Sequence, residues 1–296
     1  MDPDTTPADG LASAPQVSVV IPALNAADTL PLQLEALARQ RTDRTFEVLV
    51  SDNGSTDGTA EVVESFRDRV PGLRLVDASA RTGTNYARNC GARAARGEYI
   101  LMCDADDEVE GDWLDHLARA LDSADSVGGR LERLKLNPHL IEPSGEPGIT
   151  LRLGFLPRPI GANAGYRKGV WEAMEGFDEA YVRGGTETEF FWRLQLAGYT
   201  LVDVPEAVVH YRMRDSARKS VRQMYIWGRQ SPMLYRDFKS AGMRFDDREF
   251  SRNIKLLPRL IWRARRGPRD RRILARELAY RAGRVVGSVK YRVLFV

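Results

Sequence analysis

Val17-Ser-Val-Val-Ile21 is an apolar run, and the residues that follow it change period. Leu30, Leu34 and Leu37 fall at i, i+4 and i+7, which is one face of a helix over about 28–40. Asp28 or Thr29 can cap that helix, and Pro31 suits its first turn. The unit then recurs. Phe46-Glu-Val-Leu-Val50 precedes a helix near 58–68, with Val62, Val63 and Phe66 turned inward. Leu73-Arg-Leu-Val76 precedes an Ala/Arg-rich helix around 84–95, and Tyr99-Ile-Leu-Met-Cys103 is a fourth run. Strands alternating with helices through short connections predict an α/β fold: a mostly parallel sheet covered by helices on both faces. Ligands of such sheets bind beyond the carboxyl ends of the strands. Attention therefore goes to the loops after residues 21, 50 and 103.

Beyond this core the pattern weakens. A helix carrying Trp113, Leu114, Leu117 and Leu121 leads to a strand-like stretch near 127–136. Residues 137–160 are Pro/Gly-rich and read as irregular. Residues 186–197 read as a helix, 200–204 as a short strand, and everything after 211 as long, basic and helical. Residues 1–15 read as a flexible tail with no secretory leader, so the expected compartment is the cytoplasm.

The chain has 296 residues, 43% hydrophobic and 29% charged, which excludes whole-chain disorder, a collagen-like fibre and a disulfide scaffold. No apolar run approaches the roughly 20 residues of a membrane-spanning helix. Cys90 and Cys103 fit small buried thiols. The net charge of +3 hides an asymmetry. Residues 1–210 carry 20 Lys+Arg against 34 Asp+Glu, whereas residues 211–296 carry 24 against 7. Such a split predicts two regions with different roles.

The loops at the strand ends hold the unusual chemistry. Asp104, Asp106 and Asp107 crowd three carboxylates at the end of a buried run. Such a group needs a cation or a set of donors to stay ionised. A divalent metal shared with a diphosphate supplies one; a helix cap or solvated turn is the plainer alternative. In Asp52-Asn-Gly-Ser-Thr-Asp-Gly58, Thr56 or Asp57 can cap the next helix. Asp52, directly after the strand, is placed to accept a hydrogen bond from a ligand such as a nucleobase.

Together these segments carry a resemblance. Val17-Ser-Val-Val-Ile-Pro-Ala-Leu-Asn25 with Leu30, then Val48-Leu-Val-Ser-Asp-Asn-Gly-Ser-Thr-Asp-Gly-Thr59, resemble the opening of family 2 glycosyltransferases. So do Ala87-Arg-Asn-Cys-Gly91, Arg96-Gly-Glu-Tyr-Ile-Leu-Met-Cys-Asp-Ala-Asp-Asp107, Gly161-Ala-Asn-Ala164 and Gly176-Phe-Asp-Glu179. Gly184-Gly185, Glu189-Phe-Phe-Trp-Arg193 and His210-Tyr-Arg212 complete the series, which covers 17–214.

The resemblance implies the GT-A fold, Rossmann-like, with a nucleotide-binding half at about 16–110 and an acceptor half at about 111–214. A basic helical region, 215–296, would follow. It implies transfer from a nucleoside-diphosphate sugar, UDP-sugar by default, with inversion and with Mg²⁺ or Mn²⁺. The acceptor would be a glycan, a lipid-linked or a small molecule. By motif position, Pro22, Asn25, Asp52 and Arg88 would bind the donor. Asp104 and Asp106 would hold donor and metal, and His210 would lie near the diphosphate or metal. The family's base is the Asp of a Glu-Asp pair at a helix start. Here those positions are Thr186 and Glu187, a departure that keeps a carboxylate one methylene longer. Glu187 is the expected base and Glu189 the second candidate. Asn163 and Gly185 would shape the acceptor side. A sugar nucleotidylyltransferase would show a Gly-rich loop with Arg and Lys soon after the first strand, which is missing; a non-catalytic sugar-nucleotide-binding subunit is the other alternative.

Trp171 and Trp192 sit in helical apolar patterns and read as core more readily than as sugar platforms. His116 and His139 read as surface residues. In the basic region, Leu274 and Leu278 are spaced i, i+4, while Arg271, Arg272, Arg276 and Arg281 can face elsewhere. Residues 250–296 thus suit an anionic membrane surface. Packing on the catalytic domain and homodimerisation are the alternatives, and no nucleic-acid motif is present.

Overall fold

The computed structural model describes residues 14–138, 147–214, 216–245 and 256–295; His139 and residues 250–255 lie outside them. Strands β1 (Val17–Ala23), β2 (Phe46–Asp52), β3 (Arg74–Asp77) and β4 (Tyr99–Cys103) alternate with helices α1 (Leu30–Ala38), α2 (Thr59–Ser65) and α3 (Thr84–Ala94). Then come β5 (Glu108–Val109), α4 (Trp113–Leu121), β6 (Ser126–Glu132), β7 (Ile149–Arg152), β8 (Leu156–Pro159), β9 (Asn163–Arg167) and α5 (Lys168–Ala173). The chain continues with α6 (Thr186–Leu196), β10 (Leu201–His210) and α7 (Ala217–Phe238). A helix at 256–263, α8, and α9 (Pro268–Tyr291) end the described chain.

Eight strands form one sheet in the order β3-β2-β1-β4-β9-β6-β10-β5. The first four are mutually parallel, as expected. Alternation explains how they sort the core. Val17, Val19 and Ile21 of β1 join one apolar cluster with α1 and α4, while Val20 joins the other. Val48 and Val50 face the first cluster and Leu49 the second, the period-two signature of a strand buried on both faces.

Three departures from the sequence expectation matter. β9 inserts between β4 and β6 and runs antiparallel to both. The stretch expected to be irregular contains the β7–β8 hairpin. The short strand at 200–204 extends to His210 and pairs in parallel with β6. Trp171 and Trp192 are core residues, and Cys103 is buried while Cys90 is half-buried. The basic region is not detached from the rest: Met233, Leu234 and Phe238 of α7 share a third cluster with Tyr181 and Trp192.

One buried ionic junction ties β1, β2, β3 and the approach to β4 together. Glu47, almost fully buried, accepts from the Ser18 hydroxyl at 2.8 Å and the Arg96 amide at 2.7 Å. The Arg74 and Arg96 guanidinium groups reach its other oxygen at 2.8 and 3.0 Å. Burial pushes this carboxyl up, but the bonds from Arg74, Arg96 and Ser18 outweigh it and hold it below the usual 4.5. A carboxylate depressed by folding stabilises the fold above its ordinary pKa, and that contribution is lost as pH falls below it. Glu47→Gln is therefore expected to cost about 2 kcal/mol at neutral pH, a fall of roughly 4–8 °C in Tm. The gap between variant and wild type should close as pH falls below 4.5, read by thermal melts across pH.

Candidate active site

The carboxyl ends of β1, β2 and β4 lie side by side, because these strands pair in parallel. The first two loops are stitched together. Asn25, at φ 52°, accepts the Thr56 amide at 2.8 Å, and its own amide donates to the Ser55 hydroxyl at 2.9 Å. Asp52 accepts the Ser55 amide and hydroxyl on one oxygen, at 3.1 and 2.5 Å. Asp57 takes the Thr59 amide at the start of α2 and the Ala27 amide, so it is a helix-start and loop-bridging residue. Pro22 is half-buried beside this junction.

Arg88 of α3 is nearly fully buried, donates to the Thr186 hydroxyl at 3.3 Å and lies 3.9 Å from Asp104. Gly161 makes room for it: a Cβ there would sit 2.5 Å from the guanidinium. The glycine of the Gly161-Ala-Asn-Ala164 motif thus serves Arg88.

After β4, ligand atoms of Asp104, Asp106 and Asp107 all come within 4.8 Å of one another. Burial pushes the Asp104 carboxyl up to about 6; Arg88 pulls it down, while Asp106 and Glu187 repel its charge. Asp107 is fully buried and is also pushed up, by burial and then by Asp104 and Asp106. One Asp107 oxygen accepts the Arg212 amide at 2.7 Å; the other has no partner among the described residues. Arg214 contacts Asp106 at 3.0 Å. The side chain of Arg212 donates to the Asp106 carbonyl at 2.9 Å, and Arg272 of α9 donates to the Arg214 carbonyl at 2.9 Å. Crowded carboxylates with an orphaned buried oxygen fit a divalent cation, whose charge would relieve that repulsion.

Glu187 lies in the first turn of α6, which begins after Gly184 and Gly185, both at positive φ. Its carboxylate accepts the Thr186 hydroxyl at 2.8 Å and lies 3.6 Å from Arg158 of β8. Burial would push it up, but Arg158 and Arg88 outweigh that and hold it below the usual carboxylate range. Thr186 links Arg88 to Glu187 by receiving one hydrogen bond and donating the other. Through Arg88 and Thr186, Glu187 is thus connected to Asp104.

Three expected residues have other duties. Glu189 is buried and bonded to Arg193 at 2.6 Å, and that arginine also holds the Met174 and Gly176 carbonyls. Its carboxylate thereby anchors the turn after α5 through Arg193. His210 has both ring nitrogens engaged, by Glu132 at 2.7 Å and Glu110 at 2.8 Å. The third acid beside Asp104 and Asp106 is Asp107, and His210 instead bridges β6 to the residue after β5. Asn163 is fully buried, accepting from the Trp113 indole at 2.8 Å and donating to the Arg130 and Ala207 carbonyls at 2.9 Å. It holds the sheet together beneath the site rather than lining it. Arg158 and Arg214 were not singled out in the sequence. They are two of 38 arginines with no motif around them, and only folding brings them to the carboxylates.

The acids at the end of β4 and the carboxylate at the start of α6 thus lie at one end of an α/β sheet. The chain belongs to glycosyl transferase family 2, whose model matches residues 18–172, just over half of it. It is 37% identical over 97 residues to the glycosyltransferase YibD of Escherichia coli, covering 33% of this chain and 28% of that one. The chain spans less than half the length of the curated relatives it matches. Among solved structures, TarS 1-349 of S. aureus in complex with UDP superimposes with a TM-score of 0.56 at 17% identity, covering 95% of this chain and 93% of that one. The mannosyltransferase PcManGT of Pyrobaculum calidifontis, in complex with GDP-Man and Mn²⁺, gives 0.55 at 19% identity, covering 94% and 74%. At these identities the likeness shows the fold: the GT-A arrangement expected above.

Proposed function

We propose that this chain is an inverting glycosyltransferase that moves a sugar from a nucleoside-diphosphate sugar to a hydroxyl of a glycan, lipid-linked or small-molecule acceptor. The observation that carries this reading is Glu187 at the start of α6, joined through Thr186 to Arg88, which lies 3.9 Å from Asp104 of the acidic group. Asp52, Asn25 and Pro22 line the nucleoside end. Asp104 and Asp106 would hold a divalent cation, Mg²⁺ or Mn²⁺, which would neutralise the charge developing on the departing diphosphate. Arg88 adds a fixed positive charge from the protein itself. Glu187 accepts the acceptor hydroxyl's proton as that oxygen bonds to the anomeric carbon. The carbon–phosphate-oxygen bond breaks on the opposite side, and its electron pair leaves with the diphosphate.

A carboxylate held low by Arg158 and Arg88 stays ionised through neutral pH, so the base is ready for the acceptor without prior deprotonation. UDP-sugar is the default donor; the matched folds hold UDP in one case and GDP-Man in another. A thermal-shift screen of UDP-, GDP- and dTDP-sugars, with and without Mn²⁺, tests this. One donor is expected to raise the midpoint, and more so with the metal, because binding to the native state alone stabilises it. No shift with any donor in Mn²⁺ would overturn the reading.

A further inference from the structure

The described residues include no helix long and apolar enough to cross a membrane, yet α9 presents an apolar stripe that stands exposed among the described residues. Its inner face is set by α7. A Cβ at Gly228, Gly283 or Gly287 would lie 2.0–2.3 Å from the opposing backbone, so the two helices touch main chain to main chain. Tyr280 bonds Ser231 at 3.1 Å and Tyr291 donates to Gln230 at 2.8 Å, fixing the rotation of α9. That rotation turns Leu278, Val285 and Val289 outward at i, i+7 and i+11, one stripe of the helix. They are 45%, 51% and 77% exposed, and Leu294 just beyond is 75% exposed. Ile261 and Trp262 of α8 are also exposed, with the Arg266 guanidinium 4.1 Å above the indole.

The charge around this stripe is nearly all of one sign. Residues 256–295 carry 12 Lys+Arg and 2 Asp+Glu. Both acids are already paired, Asp270 with Arg263 at 3.1 Å and Glu277 with Arg281 at 2.8 Å. A second copy of this face would set like charge against like across a two-fold axis, where the same patch meets itself.

We propose that α8 and α9 seat the protein on the surface of a bilayer containing anionic phospholipid, with the valine–leucine stripe in the headgroup region and the arginines on lipid phosphates. Apolar burial and attraction of basic side chains then act together, as they do for interfacial helices. The proposal is independent of the transferase reading and survives its failure.

The test is flotation of the full chain with vesicles of phosphatidylcholine alone, or of seven parts phosphatidylcholine to three parts phosphatidylglycerol. Binding to the anionic vesicles is expected to be at least about tenfold tighter and to weaken in high salt. The double variant Val285→Asp/Val289→Asp should bind at least about tenfold more weakly with an unchanged melting midpoint, because both sites are exposed. Arg269→Glu/Arg271→Glu, on the exposed basic flank, provides a second variant should the first melt early. It should weaken anionic binding while leaving the weak phosphatidylcholine binding unchanged. No recovery with anionic vesicles at low salt would overturn the proposal, as would equal binding by all variants. So would a dimer in light scattering that Val285→Asp/Val289→Asp dissociates.

Discussion

Glu187→Gln is expected to lower turnover by about 10²–10⁴-fold, the usual contribution of a positioned general base, while leaving donor binding intact. The amide keeps the shape of the side chain and can still accept from the Thr186 hydroxyl, so α6 should start as before. What is lost is the proton acceptor, together with the negative charge that Arg158 and Arg88 face. The paired measurement is nucleoside-diphosphate release from the donor with acceptor present, beside the donor-induced thermal shift. Loss of turnover with the shift retained supports the assignment; unchanged turnover sinks it. Glu189→Gln separates the two glutamates, because it should lower the melting midpoint by removing the negative charge that the Arg193 guanidinium pairs with.

Asp106→Asn should reduce metal-dependent turnover by about 10³-fold, in line with the several kcal/mol that charge stabilisation by a metal supplies. A second readout is independent of activity. Mn²⁺ titrated into the protein and followed by its own paramagnetic signal should bind far more weakly to the variant. Asp106 is the acid of choice because it is half-exposed and its protein partners are a single guanidinium and a backbone contact. Asp107→Asn is less informative, since Asp107 is fully buried and holds the Arg212 amide. Full Mn²⁺ affinity in Asp106→Asn would remove the metal role from this loop.

The strands that frame the site were legible because their burial is two-sided, and the apolar residues of β1, β2 and β4 alternate between two clusters. β9 was not legible. Asn163-Ala-Gly-Tyr-Arg167 has no β-branched residue, and its glycine is there because a Cβ at 165 would lie 2.6 Å from Leu101. β8 contains Pro157 and Pro159, which argue against a strand and are accommodated in a two-stranded hairpin. Among candidate site residues, Asp104, Asp106 and Asp107 could be picked out as a group because they are neighbours in the sequence. The contacts of Asn163, His210 and Glu189 could not, for opposite reasons. Trp113 bonds Asn163 across 50 positions, and the carboxylates around His210 come from two separate strand ends, whereas Glu189 and Arg193 are ordinary helix neighbours whose burial no spacing reveals.

The hydrogen bond from Arg272 to the Arg214 carbonyl joins the outermost helix to the residue resting on Asp106. It offers a physical path by which two distant events would be linked. If a ligand at the acidic group displaces Arg214, the strain or relief passed to α9 enters the free energy of whatever α9 contacts. By reciprocity the same factor returns: docking through α9 changes ligand affinity at Asp106 as much as the ligand changes docking. If α9 seats the protein on a bilayer as proposed, this arginine–carbonyl contact would couple that docking to occupancy of the acidic group.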